Sequence, residues 1–229
     1  NRDEQIASAL IAAIESPDNQ EAYRKVLLQY FDVDGSFQVL LLTCEGLDAM
    51  DTVERRKLSY RIQMYLEDIT HNASFFYYNS DFVLVANAIT EEFLCQLAEG
   101  ALKRGKKRMP GLELCVGIGS KCMDISQLSV SYQRAKAATY MAMRHKKQLV
   151  KFDECGLYRL LYMVKDKGIL NEIETECLKE LEEYDYKHNA GYVETLQSYL
   201  KHNGSIQAVA AELYTHRNTV LYRIGNVKK

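Results

Sequence analysis

Apolar residues recur at helical spacing from about Asp3 to Phe31: Ile6, Leu10, Ala13 and Ile14, then Tyr23, Val26, Leu27 and Tyr30. Ser16-Pro17-Asp18-Asn19 falls between the two groups, so the pattern predicts a helix, a break and a second helix. After the turn signal Asp34-Gly35, Phe37 to Thr43 is an apolar run of strand length. Asp51 is placed to cap a helix whose apolar face is Leu58, Ile62, Tyr65, Leu66 and Ile69. Two β-rich runs follow, Ala73 to Tyr78 and Phe82 to Ala86, and the polar tip Asn79-Ser80-Asp81 between them predicts a hairpin. Thr90 opens a further helix with Phe93, Leu94, Leu97 and Ala101 on one face, ending in the basic run Lys103 to Arg108 before Pro110-Gly111. Leu112 to Ile118 reads as a fourth strand and Gln148 to Phe152 as a fifth. Between them runs a helix capped by Asp124 or Ser126, with Leu128, Tyr132, Ala135, Thr139 and Ala142 on its buried stripe. The order βαββαβαβ from Phe37 to Asp153 predicts an α+β domain of ferredoxin-like or nucleotidyl-cyclase kind.

From Leu157 onward every periodicity is helical. Glu172 to Asp185 carries seven acids (Glu172, Glu174, Glu176, Glu180, Glu182, Glu183, Asp185) against Lys179, which reads as a solvated connector. Three short patterns close the chain: Val193, Leu196, Tyr199 and Leu200; Ile206, Val209, Ala210 and Leu213; Val220, Leu221, Ile224 and Val227. Gly204-Ser205 separates the first pair, with Ser205 as N-cap, and Tyr214-Thr215-His216 separates the second. So short a turn, with Ala210-Ala211 before it, implies helix-turn-helix geometry, in which the second helix offers its first turns to the major groove.

Charge sharpens that picture. The 229 residues hold 29 Lys+Arg and 31 Asp+Glu, a formal net charge of −2. From Tyr186 on, Lys187, Lys201, Arg217, Arg223, Lys228 and Lys229 face only Glu194 and Glu212. A basic end on an acidic body suits a polyanionic partner. Arg217 can grip guanine bidentately, Asn218 can pair with adenine, and Thr219 can touch a thymine methyl or a phosphate. Thr215 and His216 stand at the start of the same helix, where His216 caps it or reaches the DNA backbone. Tyr222 and Arg223 follow one turn on, with Arg223 as a phosphate anchor, and Lys228 adds salt-sensitive attraction. Three short helices with an exposed polar helix start would show the same spacing, so spacing alone leaves a plain helical appendage open.

The run Gly191 to Leu196, then Ala210-Ala211-Glu212-Leu213, then His216-Arg217-Asn218-Thr219-Val220-Leu221-Tyr222-Arg223-Ile224, closely resembles the C-terminal helix-turn-helix of PucR/CdaR-type bacterial transcription regulators. That family sets a degenerate GGDEF-like domain ahead of it. Val116-Gly117-Ile118-Gly119 and Tyr132-Gln133-Arg134-Ala135-Lys136-Ala137-Ala138 look like the matching strand and helix, so the resemblance covers roughly residues 37–229. It implies a cytoplasmic, usually dimeric regulator that binds double-stranded DNA, with an upstream sensory region. The start at Asn1 rather than Met fits the same expectation of a longer protein. The expected layout is a helical segment at 1–34, a GGDEF-like α+β domain at 35–155, a helical connector at 156–189 and the DNA-binding domain at 190–229. A second reading makes the GGDEF-like domain a small-molecule sensor or protein-interaction module, and an unknown small-molecule effector fits either.

Composition and motifs narrow the rest. At 47% hydrophobic and 26% charged, the chain is neither disordered nor fibrous. No apolar stretch is long enough to span a membrane, and no secretory signal opens the chain. Six Cys without a CxxC pair predict reduced thiols rather than zinc or disulfides. Cyclase chemistry needs acids on neighbouring strands to hold divalent metal, and a Gly-Gly-acidic tip. Val39-Leu40-Leu41-Leu42-Thr43 has no carboxylate, and the hairpin offers only Asp81, so no enzyme activity, metal or cofactor is expected. Gly117-Ile118-Gly119 lacks the rest of a dinucleotide fingerprint and more simply ends a strand near a helix. The run Lys103 to Arg108 could touch phosphates, though a solvated helix end is the simpler reading. His71, His145, His188 and His202 form no catalytic set, and the 16 Tyr suit packing better than base stacking.

Overall fold

The computed structural model describes residues 2–164 and 166–227. It divides into two compact units, residues 1–163 and 164–229. In the first, α1 (Arg2–Glu15) and the single turn α2 (Arg24–Leu27) precede a five-stranded sheet. Its strands are β1 (Phe37–Thr43), β2 (Ala73–Tyr78), β3 (Asp81–Asn87), β4 (Cys115–Ile118) and β5 (Leu149–Lys151), in the order β2-β3-β1-β4-β5. All neighbours are antiparallel except β4 with β5. The connecting helices are α3 (Thr52–Ile69), α4 (Glu91–Arg108) and α5 (Leu128–Arg144), and the short α6 (Tyr158–Met163) ends the unit. The unit is the α+β fold that the βαββαβαβ order implied, and a helical region follows it.

The central strand shows why its sequence does not alternate. β1 is buried along its whole length, so both of its faces must be apolar. Val39 and Leu41 point into a cluster with α1, with Leu27 of α2 and with Leu128, Tyr132 and Ala135 of α5. Leu40 and Leu42 point the other way, to Leu58, Ile62 and Leu66 of α3 and Leu94, Leu97 and Ala101 of α4. Period-two side chains thus split one apolar run between two cores. Asp51 and Thr90 cap α3 and α4 as their positions suggested, Asp51 accepting from the Val53 and Glu54 N–H groups and Thr90 from that of Phe93. Asp124 caps a 3-10 turn (Ile125–Gln127) that leads into α5.

The strand ends differ from the sequence reading: β3 runs on to Asn87, β5 is trimmed to Leu149–Lys151, and two further differences have a visible cause. β4 starts at Cys115 rather than Leu112, because the Leu112 and Leu114 N–H groups turn back onto Met109 and Leu112 carbonyls. The hairpin tip is Asn79-Ser80 alone, both at positive φ (47° and 68°), while Asp81 already pairs with Tyr78 across the strands. Positive φ at both central residues is what a tight two-residue hairpin requires.

β4 and the residue after it lie against the backbone of α5. A Cβ built on Gly117 would stand 2.3 Å from the Thr139 nitrogen and 2.5 Å from the Ala135 oxygen, and one on Gly119 would stand 2.0 Å from the Ser131 oxygen. Ser131 uses that proximity: its hydroxyl accepts from the buried Val39 N–H at 2.9 Å. Gln38, buried in the same strand, donates from Nε2 to the Gly119 carbonyl at 2.8 Å.

The four buried cysteines, Cys44, Cys115, Cys122 and Cys155, are free thiols, as is the exposed Cys177. Burial pushes the Cys44, Cys115 and Cys122 thiols up to about 11, away from the reactive thiolate. Among the described residues no helix is long and apolar enough to cross a membrane.

Candidate nucleic-acid interface

The second unit consists of α7 (Lys167–His188), α8 (Tyr192–Lys201), α9 (Ile206–Glu212) and α10 (Arg217–Val227). Val209, Val220 and Ile224 form its buried centre, with Tyr199, Ile206, Ala210 and Leu213 packed around them. So few apolar groups cannot hold three short helices by themselves, since isolated helices of this length are marginal in water. Polar ties supply the rest.

Asp185 is one of them. Its two oxygens accept the Tyr192 and Val193 N–H groups, each at 2.8 Å. Gly191, at φ 68°, turns the chain there and has no side chain to cap with, so a carboxylate six residues back does the capping. The sequence placed Asp185 among solvated acids; in the fold it satisfies the start of α8. Asp185→Ala is expected to destabilise this unit by about 1–2 kcal/mol, the ordinary cost of a lost N-cap. Amide hydrogen exchange of α8 to α10 measures it, and unchanged protection would mean the cap is dispensable.

The buried face of α8 is also not the one its apolar residues suggest. Tyr192, Thr195 and Ser198 are buried, whereas Leu200 is 67% exposed. Hydrogen bonding explains the choice. The Thr195 hydroxyl donates to the Gly191 carbonyl at 2.6 Å and accepts from Arg223 Nη1 of α10 at 3.1 Å. The Ser198 hydroxyl donates to Glu212 of α9, a carboxylate that Lys201 and His202 also bind. The Lys201 hydrogen bond, then that of Ser198, hold the Glu212 carboxyl down at about 2. Tyr184 stacks on Tyr192 at 5.2 Å, and the Tyr192 hydroxyl accepts from Asn226 Nδ2 at 2.9 Å.

The turn between α9 and α10 is held by its own backbone. The Thr215 N–H reaches back to the Ala210 carbonyl (3.0 Å) and the Tyr214 N–H to that of Ala211 (3.4 Å), with Tyr214 left-handed at φ 49°. This is the Schellman pattern, in which glycine is the usual occupant of the left-handed position. Tyr214 instead keeps a side chain there that is 97% exposed, a local strain of the kind that persists at functional sites. The missing glycine is why its sequence gave no signal.

His216 then starts α10. Its Nδ1 accepts the Asn218 N–H at 3.2 Å, which requires the ring proton on Nε2, and its carbonyl takes the Thr219 N–H at 2.9 Å. His216, Arg217, Asn218 and Tyr222 are exposed, while Thr215, Thr219 and Arg223 are half-buried. Asn218 and Tyr222 are four residues apart, as are Arg217 and the exposed Leu221, so they share neighbouring rows. Val220 and Ile224 are turned inward. Arg223 already has a protein partner in Thr195, which sets it apart from Arg217. Lys228 lies outside the described residues.

In the first unit, the single carboxylate of the hairpin is also engaged. Asp81 is 4% exposed, and its Oδ2 accepts from Lys136 Nζ of α5 at 2.7 Å. Burial pulls the Lys136 ammonium down, but the hydrogen bond and charge of Asp81 more than reverse this and raise it overall. Among the described residues, no group of three or more His, Cys, Asp or Glu is placed to hold a metal ion.

Two family models match the chain. The GGDEF-like domain matches residues 11–140 and the PucR C-terminal helix-turn-helix domain matches residues 192–229. The DNA-binding transcriptional activator AdeR of Bacillus subtilis is 28% identical over 139 residues, 59% of this chain and 33% of its own. The proline-responsive transcriptional activator PutR of the same organism is 28% identical over 116 residues, 49% of this chain and 28% of its own. The chain therefore spans about a third of the length of these relatives. Among solved structures, a regulator of polyketide synthase expression from Bifidobacterium adolescentis aligns over 96% of this chain and 81% of its own, with a TM-score of 0.44 and 15% identity.

Proposed function

Because the chain belongs to the GGDEF-like domain family, joined here to a PucR C-terminal helix-turn-helix, we propose that it is a sequence-specific, DNA-binding transcriptional regulator. The observation that carries this reading is the exposed first turn of α10, where Arg217 and Asn218 stand free of the packing that holds Val220 and Ile224. Arg and Asn are the side chains that read guanine and adenine edges bidentately. Thr215, His216, Thr219 and Tyr222 complete the proposed DNA face, and Tyr214 joins it on the strength of its exposure. Arg223 is proposed to contact phosphate while its bond to Thr195 fixes α10 against α8. Lys228 is proposed to add nonspecific attraction.

A homodimer is part of the proposal, since one short recognition helix buries too little for selectivity and paired half-sites multiply it. So are a bacterial, cytoplasmic setting and a small-molecule effector. The residue layout is proposed as 1–34, 35–155, 156–189 and 190–229. A regulatory rather than enzymatic role is supported by the relatives being named as transcriptional activators and by Asp81 being tied to Lys136.

Selection of duplex sites from a random pool, followed by titration of the selected site, tests the reading. Arg217→Ala and Asn218→Ala are each expected to weaken binding by about 1–3 kcal/mol, roughly 5- to 150-fold, and to relax base preference at one position. Both side chains are exposed, so circular dichroism and thermal melting are expected to match the parent. Selected-site affinity unchanged in both variants would remove α10 as the reading helix.

A further inference from the structure

α3 and α4 share one face of the sheet in the first unit, and the furrow between their outer sides is basic. α4 supplies Lys103, Arg104, Lys107 and Arg108, and α3 supplies Arg61 opposite them. Asp68 is the one acid in this lining. The furrow has a volume of about 850 Å3, within the range of small-molecule sites.

Its cations are not all of one kind. Arg108 is neutralised by Glu54 at 3.0 Å. Arg104 is held in place without a counter-ion: its guanidinium lies 3.6 Å from the centre of the Tyr65 ring, and Nη1 donates to the Gly100 carbonyl at 3.4 Å. Gly100 makes that stack possible, because a Cβ there would stand 1.8 Å from the Tyr65 hydroxyl oxygen. Arg61, Lys103 and Lys107 have no hydrogen-bond or ion-pair partner among the described residues. The dipole of α4 favours cations in its last turn, which accounts for Lys107 and Arg108 but not for Lys103, Arg104 or Arg61. Beside them lie Tyr60 and Met64, 61% and 39% exposed, an apolar ledge next to unneutralised charge.

We propose that this α3–α4 furrow binds a phosphorylated ligand carrying a flat ring, of the nucleoside diphosphate class. Arg61, Lys103, Arg104 and Lys107 meet the phosphates, where guanidinium forks and ammonium groups bind most strongly. Tyr60 and Met64 receive the ring, since aromatic faces stack on flat partners at little entropic cost. The site goes beyond the DNA-binding reading and stands in the unit that does not contain the helix-turn-helix, so the two can fail separately.

The test is calorimetric titration of the full chain, without divalent cations, with ADP, GDP, CDP and UDP in turn. Adenosine, guanosine, cytidine, uridine and inorganic tripolyphosphate serve as probes of the ring and the charge alone. At least one diphosphate is expected to bind roughly tenfold or more tightly than its nucleoside and than tripolyphosphate. The exposed double substitution Arg61→Ala/Lys107→Ala is expected to weaken it at least tenfold, with Arg217→Ala binding it as the parent does. Failure of all four diphosphates to bind at millimolar concentration overturns the proposal, and so does parental affinity in the double variant. Tripolyphosphate binding as tightly as the diphosphate would show an adventitious ion only. If the double variant loses duplex DNA binding as severely as Arg217→Ala does, the furrow is a DNA-phosphate contact and the nucleotide site is refuted.

Discussion

Gly117→Ala is expected to cost the first unit about 3 kcal/mol or more, at the upper end of what overpacking does to a tight contact. Three backbone atoms crowd the position where the methyl would go: the Thr139 nitrogen at 2.3 Å, the Ala135 oxygen at 2.5 Å and the Ala138 carbonyl carbon at 2.8 Å. Backbone cannot rotate aside as a flexible side chain would, so α5 has to lift from β4. That strains the Ser131 hydroxyl bond to Val39 and the wall of the core formed by Tyr132 and Ala135. For a unit of this size the melting temperature is expected to drop by about 6–12 °C. Gly111→Ala is the control: nothing lies within 4 Å of its added Cβ, and its effect is expected to stay within about 0.5 kcal/mol. If the two variants melt together, α5 does not approach β4 this closely.

Lys136→Met is expected to be comparably damaging for a different reason. It leaves the Asp81 carboxylate with 6% side-chain exposure and no ammonium opposite it. Removing one member of a buried pair costs about 3–5 kcal/mol, since the surviving charge has neither water nor a partner. Lys136 itself is 36% exposed, so water softens the loss and the lower end of that range applies. Adding Asp81→Asn to Lys136→Met removes the stranded charge and is expected to recover much of the stability. Denaturant unfolding of the parent, both single variants and the double variant forms a cycle that reads the coupling directly. A Lys136→Met single variant within about 0.5 kcal/mol of the parent would mean that Asp81 finds water or another donor.

Both effects bear on what the β2–β3 hairpin and α5 do for the first unit. The hairpin position that could hold an acid for metal is occupied by Asp81, and that acid is committed to α5 through Lys136. The tip beside it carries Asn79 and Ser80 side chains rather than two glycines. Asp81 and Lys136 therefore tie the hairpin to α5.

Much of this molecule was legible in its order of apolar and polar residues. The βαββαβαβ sequence of elements, the caps at Asp51, Thr90 and Ser205, and the two-helix turn after Ala210-Ala211 all appear in the fold. These features are local: periodicity, capping and turn chemistry act within a few residues, and the chain carries them without tertiary information. The run from His216 to Ile224 likewise marks the helix-turn-helix in the sequence itself.

What the sequence could not show depends on partners distant in the chain. Asp185 reads as one more solvated acid until the turn at Gly191 brings the α8 N-terminus onto it. Thr195 and Ser198 look like the polar side of α8, and only Arg223 and Glu212 from other helices make burying that side favourable. Gly117-Ile118-Gly119 reads as the end of a strand near a helix, but only the fold shows how near, with both glycines letting α5 rest on the sheet. The sequence by itself determined the elements and their order. The tertiary structure alone decided which polar and glycine residues hold them together. Hydrophobic burial is non-directional and written in local periodicity, whereas hydrogen bonds, ion pairs and close backbone contacts exist only once distant residues have met.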